Sequence, residues 1–310
     1  MLNKSTVTPT GWLAFELNVL RRLRFEKAAL PFTGETNVGS YLKRWGVQVF
    51  ANDLMKWSWI KSIADIQNNS EMLTEDDLAI ILEDAYVPRY RLQNSALRNW
   101  FNETDSWWFD NVRQNIEKIQ SPIAKSIALN VGMGVGDYVL SFTEDTLELR
   151  QPLSNIYKRL CSIKSKPVNN GKNNTCSNRM VKEFVAETYP DLMFLRLPRA
   201  HNLPLRKSQG TKAWREEWVR FGDDFWDQLE TEQTGKLGTH VETKFQYLRL
   251  VEDILQTATH VENWAIAHIE DGFISTQDIV ETISHVRRVD TIFTKDFSEL
   301  TGTKAVIITA

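Results

Sequence analysis

The stretch LPFTGETNVGSYLKRWGVQVFANDL, residues 30–54, decides how the fold is interpreted. It opens on the end of a short apolar segment, which predicts a buried strand followed by a turn at Gly34. Residues 38–45 have the pattern of a helix, and residues 47–51 predict a second, β-branched strand that is closed by Asp53. Strand, glycine turn, helix, strand and acid in this order form the first half of a nucleotide-binding βαβ unit.

The turn between the first strand and the helix is the candidate binding element. Backbone N–H groups at a helix N-terminus can bind a ligand there, and Gly34 permits a close approach. Phe32 and Asn37 lie on either side of Gly34 in the turn. Asp53 follows the next strand, where an acid can accept hydrogen bonds from ribose hydroxyls. An acid in that place is also often a simple helix cap, so both interpretations stay open.

Length and composition limit the architecture. The chain has 310 residues, of which 42% are hydrophobic and 25% charged, which suits one large α/β domain or a core domain with a helical insertion. The sequence contains no apolar run of membrane-spanning length, and residues 1–10 are polar without the apolar centre of a signal peptide. We therefore expect a cytoplasmic protein without membrane contact. Two cysteines and five histidines form neither a disulfide framework nor a zinc-ligand spacing.

The distribution of charge is more informative than the net charge of −3. Residues 155–182 carry seven Lys and Arg and no acid, and residues 196–220 carry seven more against two glutamates. Such segregation predicts a face directed toward a polyanion, while the alternative is a pair of solvated basic loops. The nucleic-acid-binding candidates are Arg199, Arg206, Lys207, Lys212 and Arg215.

The rest of the chain divides into three parts by pattern. Residues 1–56 contain an N-terminal helix and the βαβ half, residues 57–163 a helical insertion or recognition region, and residues 164–310 the remaining core. An Asn-, Lys- and Ser-rich loop at 164–177 is expected to be exposed and mobile. The helix expected at 123–142 contains three glycines, which predict an interruption, and a further helix is expected at 217–229.

Residues 30–34, 38–39 and 49–54 together resemble the Dam-like adenine-N6 DNA methyltransferases. That family opens with a Pro-Phe-x-Gly turn and closes the second strand with Asn-Asp, as this chain does. The resemblance implies an α/β fold with a Rossmann-type AdoMet-dependent methyltransferase sheet and a helical insertion. It also implies S-adenosylmethionine as cofactor and DNA, or another nucleic acid, as partner. The cofactor-binding residues it implies are Phe32, Gly34, Asn37 and Asp53.

The chain departs from the family at the catalytic tetrapeptide. The family's strand ends in Asp-Pro-Pro-Tyr, whose Asp side chain and a backbone carbonyl accept from the amine of a flipped adenine. Here the same places hold Arg196, Leu197, Pro198 and Arg199. A guanidinium has donors and no acceptor, so Arg196 cannot promote attack by the poorly nucleophilic amine. Arg199 could still stack on a base, or both arginines could be surface or phosphate-binding residues.

Two further family elements are altered. The Ser-Tyr-Asn of the family corresponds to Ala267, His268 and Ile269, and the N-terminal Lys-Trp-x-Gly-x-Lys element is missing, with Trp12 as a remnant. Three altered elements favour a pseudo-methyltransferase that acts as a nucleic-acid-binding or assembly subunit beside a second protein. The alternative is an active AdoMet-dependent DNA adenine methyltransferase with an atypical motif. In either case the resemblance implies restriction-modification, phage or other defence loci.

Overall fold

The computed structural model describes residues 11–270, 272–298 and 302–310. The polar segment at 1–10, on which the expectation about a signal peptide rests, lies outside them. Within the described ranges one seven-stranded sheet has the order β3-β2-β1-β4-β5-β7-β6. Its strands are β1 Lys27–Leu30, β2 Gln48–Asn52, β3 Thr175–Ser177, β4 Leu192–Arg196, β5 Asn263–Glu270, β6 Thr291–Asp296 and β7 Lys304–Thr309.

The sheet is parallel from β3 to β5, and β7 alone runs in the opposite direction between β5 and β6. The chain leaves β1 toward β2 on one side and returns to β4 on the other. The strand order therefore reverses between β1 and β4, which is the place where open α/β sheets bind their ligands. The predicted α/β class and Rossmann-like sheet are confirmed at this level.

Helices cover both faces of the sheet because its strands are apolar on both sides. On β4, Leu192 and Phe194 face α1 and α2, while Met193 and Leu195 face α8, α12 and α13. The helices of the chain are α1 Trp12–Leu20, α2 Asn37–Arg44, α3 Lys56–Ser62, α4 Glu75–Leu82, α5 Glu103–Ile116, α6 Pro122–Leu140, α7 Leu153–Ile163, α8 Val181–Glu187, α9 Leu205–Ser208, α10 Ala213–Arg220, α11 Trp226–Gln233, α12 Lys244–Thr257 and α13 Thr276–Ser284.

The elements predicted from residues 30–54 are confirmed. The first strand, helix and second strand are β1, α2 and β2, and α2 is followed by Gly46 at φ +82°. A left-handed residue after a helix ends it most cheaply when it is glycine. Two strands escaped prediction: β3 has only three residues and β6 is exposed along most of its length, so neither shows a buried apolar pattern.

The helical region is formed by two separate segments of the chain. Helices α3 to α7 form one apolar cluster with α10 and α11, although the sequence boundaries assign residues 164–310 to the sheet domain. The single helix expected at 217–229 is wrong, because Phe221 adopts φ +62° and separates α10 from α11. The loop expected at 164–177 is only partly a loop: its last three residues are β3, and the Asn174 side chain accepts from the backbone of Val49 at 2.9 Å.

Helix α6 is continuous, so its glycines do not interrupt it. A Cβ on Gly132 would lie 2.2 Å from Trp218, and one on Gly136 would lie 2.2 Å from Trp214. Both indole rings are buried in the helical cluster. The glycines are therefore contact surfaces that let two tryptophans of α10 pack directly against the backbone of α6.

We expect G132A and G136A each to lower the free energy of unfolding by about 1–3 kcal/mol, because the added methyl overpacks a rigid indole. G134A is the matched control. There a Cβ would lie 3.1 Å from the movable Leu160 methyl, and alanine gains up to about 1 kcal/mol in helix propensity. Urea denaturation measures all three. Equal stabilities for G132A and G134A would contradict the packing argument.

Within the described ranges, no helix combines the length and the hydropathy that a transmembrane span requires.

Candidate functional site

The candidate site lies at the carboxyl ends of β1, β2 and β4, beside the reversal of strand order. The turn after β1 places Gly34 at φ +55°, and a Cβ there would meet no heavy atom within 4 Å. Space is therefore open beside Gly34. Its backbone is engaged, however: the N–H donates to Asp53 Oδ2 at 2.7 Å and the carbonyl accepts from Ser58 Oγ at 2.7 Å.

The buried side chain of Asp53 holds this turn by accepting a hydrogen bond from its backbone. Besides the Gly34 N–H, its carboxylate accepts from the Met55 N–H at 2.9 Å through Oδ1. Burial raises the pKa of Asp53, and the two backbone donors oppose that rise. Each carboxylate oxygen therefore already serves a backbone donor. These contacts hold two turns together and are not a helix cap, since the N-cap of α3 is Met55 and has no side-chain cap; a ribose would have to share or displace them.

Phe32 and Asn37 lie apart from each other. Phe32 is partly buried and packs with the apolar cluster on the α8, α12 and α13 face. A Cβ on Gly238 would lie 3.8 Å from Phe32 and 3.5 Å from Pro198, so the loop around Gly238 covers both residues. Asn37 is exposed at the first position of α2 and borders a cavity on the outer side of that helix. The structure thus joins Gly34 directly to Asp53, places Phe32 in an apolar cluster and places Asn37 at the start of α2.

Arg196, at the end of β4, forms a two-pronged ion pair with Glu16 of α1. Its Nε and Nη2 donate to the two carboxylate oxygens at 2.9 and 2.8 Å. Glu16 is 0% exposed and also accepts from Trp12 Nε1 at 2.6 Å. Burial raises the pKa of Glu16, and the guanidinium works against that rise. The pair joins the N-terminal helix to the end of β4.

The three residues that follow Arg196 are Leu197, Pro198 and Arg199, and the first two contact other elements of the fold. Leu197 is buried, and its N–H donates to the Ala267 carbonyl at 2.9 Å. The Pro198 carbonyl accepts from Tyr247 Oη at 2.8 Å. Arg199 is partly exposed beyond the strand. The backbone after β4 is therefore held by β5 and α12.

Most of the predicted nucleic-acid-binding arginines and lysines are paired with acids. Arg215 is only 6% exposed and bonds Glu35 at 2.8 Å and Asp137 at 2.6 Å. Arg206 bonds the fully buried Glu217 at 2.7 Å. Lys212 lies 3.5 Å from Glu35, and Lys207 is exposed. The segment is thus largely committed to internal contacts, and Lys207 and Arg199 are its more available cations.

Sequence reasoning missed the acid that organises this turn. Glu35 follows Gly34 directly and ties the turn to Lys61 and Arg215 of the helical cluster. These cations lower the pKa of Glu35 against the effect of burial. An acid beside a glycine turn could have been noticed, but its partners come from distant segments. No group of three or more potential metal ligands occurs among the residues that the structure describes.

Comparison with known proteins adds no assignment. No model of a known family matches the chain, and a search of curated proteins finds no significant relative.

We expect R196M to lower the free energy of unfolding by about 3–5 kcal/mol, because it leaves the Glu16 carboxylate buried without its cation. The double variant E16L/R196M, which removes both charges, should recover most of that loss. Chemical denaturation of the two variants and the unchanged protein measures the effect. If the double variant is as unstable as R196M alone, the cost is one of packing and not of the unpaired charge.

Proposed function

We propose that this protein is a catalytically degenerate, methyltransferase-like protein that acts as a nucleic-acid-binding or assembly subunit. The observation that carries the proposal is the Arg196–Glu16 pair at the end of β4. The sheet supports the methyltransferase-like part: its parallel half has the doubly wound order, and the reversed β7 fits the Rossmann-type methyltransferase sheet expected from the resemblance.

The Arg196–Glu16 pair leaves no free side-chain acceptor at the end of β4, where adenine methylation would require one. The reaction needs acceptors on the amine hydrogens, and Arg196 offers only donors. Glu16 does not replace them, because its oxygens already accept from Arg196 and Trp12 and the residue is fully buried. Since the pair is neutral as a whole, repulsion between Arg196 and the sulfonium of S-adenosylmethionine is a weak objection. The lack of an acceptor is the stronger one.

The turn after β1 also fits S-adenosylmethionine poorly. The Gly34 N–H that would meet the ligand is bonded to Asp53, and both Asp53 oxygens are in use. A cofactor would therefore compete with the internal hydrogen bonds of Asp53. The open space beside Gly34 is the one feature that favours the alternative, an active AdoMet-dependent enzyme with an atypical motif.

The purified protein should transfer no methyl group from radiolabelled S-adenosylmethionine to single- or double-stranded DNA, because the position facing the amine has no acceptor. Calorimetric titration with S-adenosylmethionine at millimolar concentration should give no saturable heat. Methyl transfer that is lost in D53N but kept in R249A, an exposed position on α12, would establish the active alternative and reject this proposal.

Nucleic-acid binding is better supported by the first basic segment, residues 155–182, than by the second. Salt bridges hold three of its seven cations to acids: Lys164, Arg179 and Lys182. The remaining four are exposed outside those pairs, and they are Lys158, Arg159, Lys166 and Lys172. Exposed cations without an acid partner are the ones that can neutralise phosphates.

We expect K158E/R159E/K172E to weaken DNA binding at least roughly tenfold and to reduce the salt slope by about one for each lost phosphate contact. The control R249E/R288E/K295E makes the same change of charge at other exposed positions and should bind as the unchanged protein does. Fluorescence anisotropy at several salt concentrations measures both. Equal weakening by the two triple variants would mean that only net charge matters.

A further inference from the structure

A cavity of about 360 Å³ lies between α2, α6 and the loop that follows α7, on the outer side of α2 from the sheet. Its size falls within the range of about 300–1,000 Å³ that is typical of small-molecule sites. It shares none of Gly34, Asp53 and Arg196 with the site at the strand ends. It is therefore a separate space in the molecule.

One wall of the cavity is a π-helical turn, Ile63–Gln67, that continues α3. Such turns are rare and are found frequently at functional sites, because the widened helix turns a side chain out of its normal direction. Here Asp65 of the turn lines the cavity. It accepts from Thr36 Oγ1 at 2.7 Å, Asn130 Nδ2 at 3.1 Å and Lys164 Nζ at 2.7 Å.

The charges at this cavity favour an anion. Four cations line it: Lys43, Arg44, Lys164 and Lys166. Lys43 is buried and donates to the Asn68 carbonyl, and Lys164 is paired with Asp65, so Arg44 and Lys166 are the two that can meet an anion. The two acids that line it are Asp65 and Glu71, and both already accept hydrogen bonds, Asp65 from three donors and Glu71 from Ser121. Arg44 and Lys166 are exposed and form no salt bridge within the described ranges. An anion at the mouth would meet cations that have no other acid to bind.

The body of the cavity suits a flat or apolar group. Its walls include Ile127 and Val131 of α6, both almost fully buried. At the mouth the Arg44 guanidinium lies 5.4 Å from the centre of the half-exposed Tyr41 ring. Aromatic rings and guanidinium planes are the surfaces on which nucleobases stack. Phosphate-binding charge and a stacking surface therefore occur together.

We propose that this cavity binds one nucleotide, either free or unstacked from a strand, with its phosphate at Arg44 and Lys166 and its base against Tyr41 and the α6 wall. The inference rests on the proposed function in one respect, since Lys166 belongs to the basic segment 155–182. A strand that follows the exposed cations of that segment reaches the mouth of the cavity through Lys166. The site thus gives a subunit without methyltransferase chemistry a means to hold a single nucleotide.

The first measurement is calorimetric titration of the full chain with AMP, with adenosine as the probe that lacks the phosphate. AMP should bind saturably, and adenosine should bind at least roughly tenfold more weakly because the mouth cations have no phosphate to meet. Absence of saturable AMP binding up to millimolar concentration overturns the proposal. Equal binding of AMP and adenosine overturns the assigned role of the cations.

Two variants locate the site. R44E/K166E should weaken AMP binding at least roughly tenfold, and its matched control R249E/R288E, which makes the same charge change at exposed positions elsewhere, should not. S40W places an indole in the cavity from the partly buried Ser40 of α2 and should abolish binding. Circular dichroism checks that each variant is folded. If S40W is folded and still binds AMP with unchanged affinity, the cavity is not the site.

A last comparison separates the possible sources of the nucleotide. Tighter binding of a 5′-phosphorylated decanucleotide than of AMP, lost in S40W, assigns the cavity to a strand, whereas AMP binding alone assigns it to a free nucleotide. Displacement of AMP by S-adenosylmethionine would identify the cavity as a cofactor site and overturn the proposal. Methyl transfer with intact AMP binding would instead reject the proposed function and leave the nucleotide site standing.

Discussion

Three glutamates without exposed surface, Glu16, Glu216 and Glu217, organise this molecule. A buried carboxylate is costly unless donors surround it, so the chain must bring those donors from distant segments. Glu216 of α10 accepts from the backbone N–H groups of Lys56 and Trp57 at 3.0 and 2.9 Å, at the N-terminus of α3. That contact joins the segment after β4 to the segment after β2.

Glu217 makes the second connection. It accepts from the indole N–H groups of Trp100 and Trp226 at 2.7 and 3.0 Å, and from Arg206 at 2.7 Å. These partners come from three separate parts of the helical cluster. Because every donor must be in place at once, α10 is locked between the helices of residues 57–163, and the apolar contacts of Trp214 and Trp218 with α6 follow from that position.

Glu16, the third of these buried glutamates, also requires donors, and it lies at the end of β4 beside the candidate site. The end of β4 carries Arg196, which is held by an acid from the N-terminal helix. An arginine and a glutamate that satisfy each other leave neither an unpaired charge nor an acceptor for a ligand. The pair therefore serves as a structural contact between α1 and the end of β4. Exposed cations that form no salt bridge within the described ranges lie elsewhere, in residues 155–182 and at the cavity beside α2.

The sequence by itself determined the α/β class and the β1–α2–β2 unit. These elements depend on periodicity, turn residues and caps, which act between near neighbours along the chain. The weak strands β3 and β6 lacked such signals.

Only the tertiary structure decided which charges are available. Arg215 looks like a surface cation in the sequence, yet it is buried between Glu35 and Asp137, which lie 180 and 78 residues away. The glycines of α6 look like helix breakers until two tryptophans are packed against them. The physical reason is that burial and charge pairing are properties of residues distant in sequence, and no local pattern specifies which of them will meet.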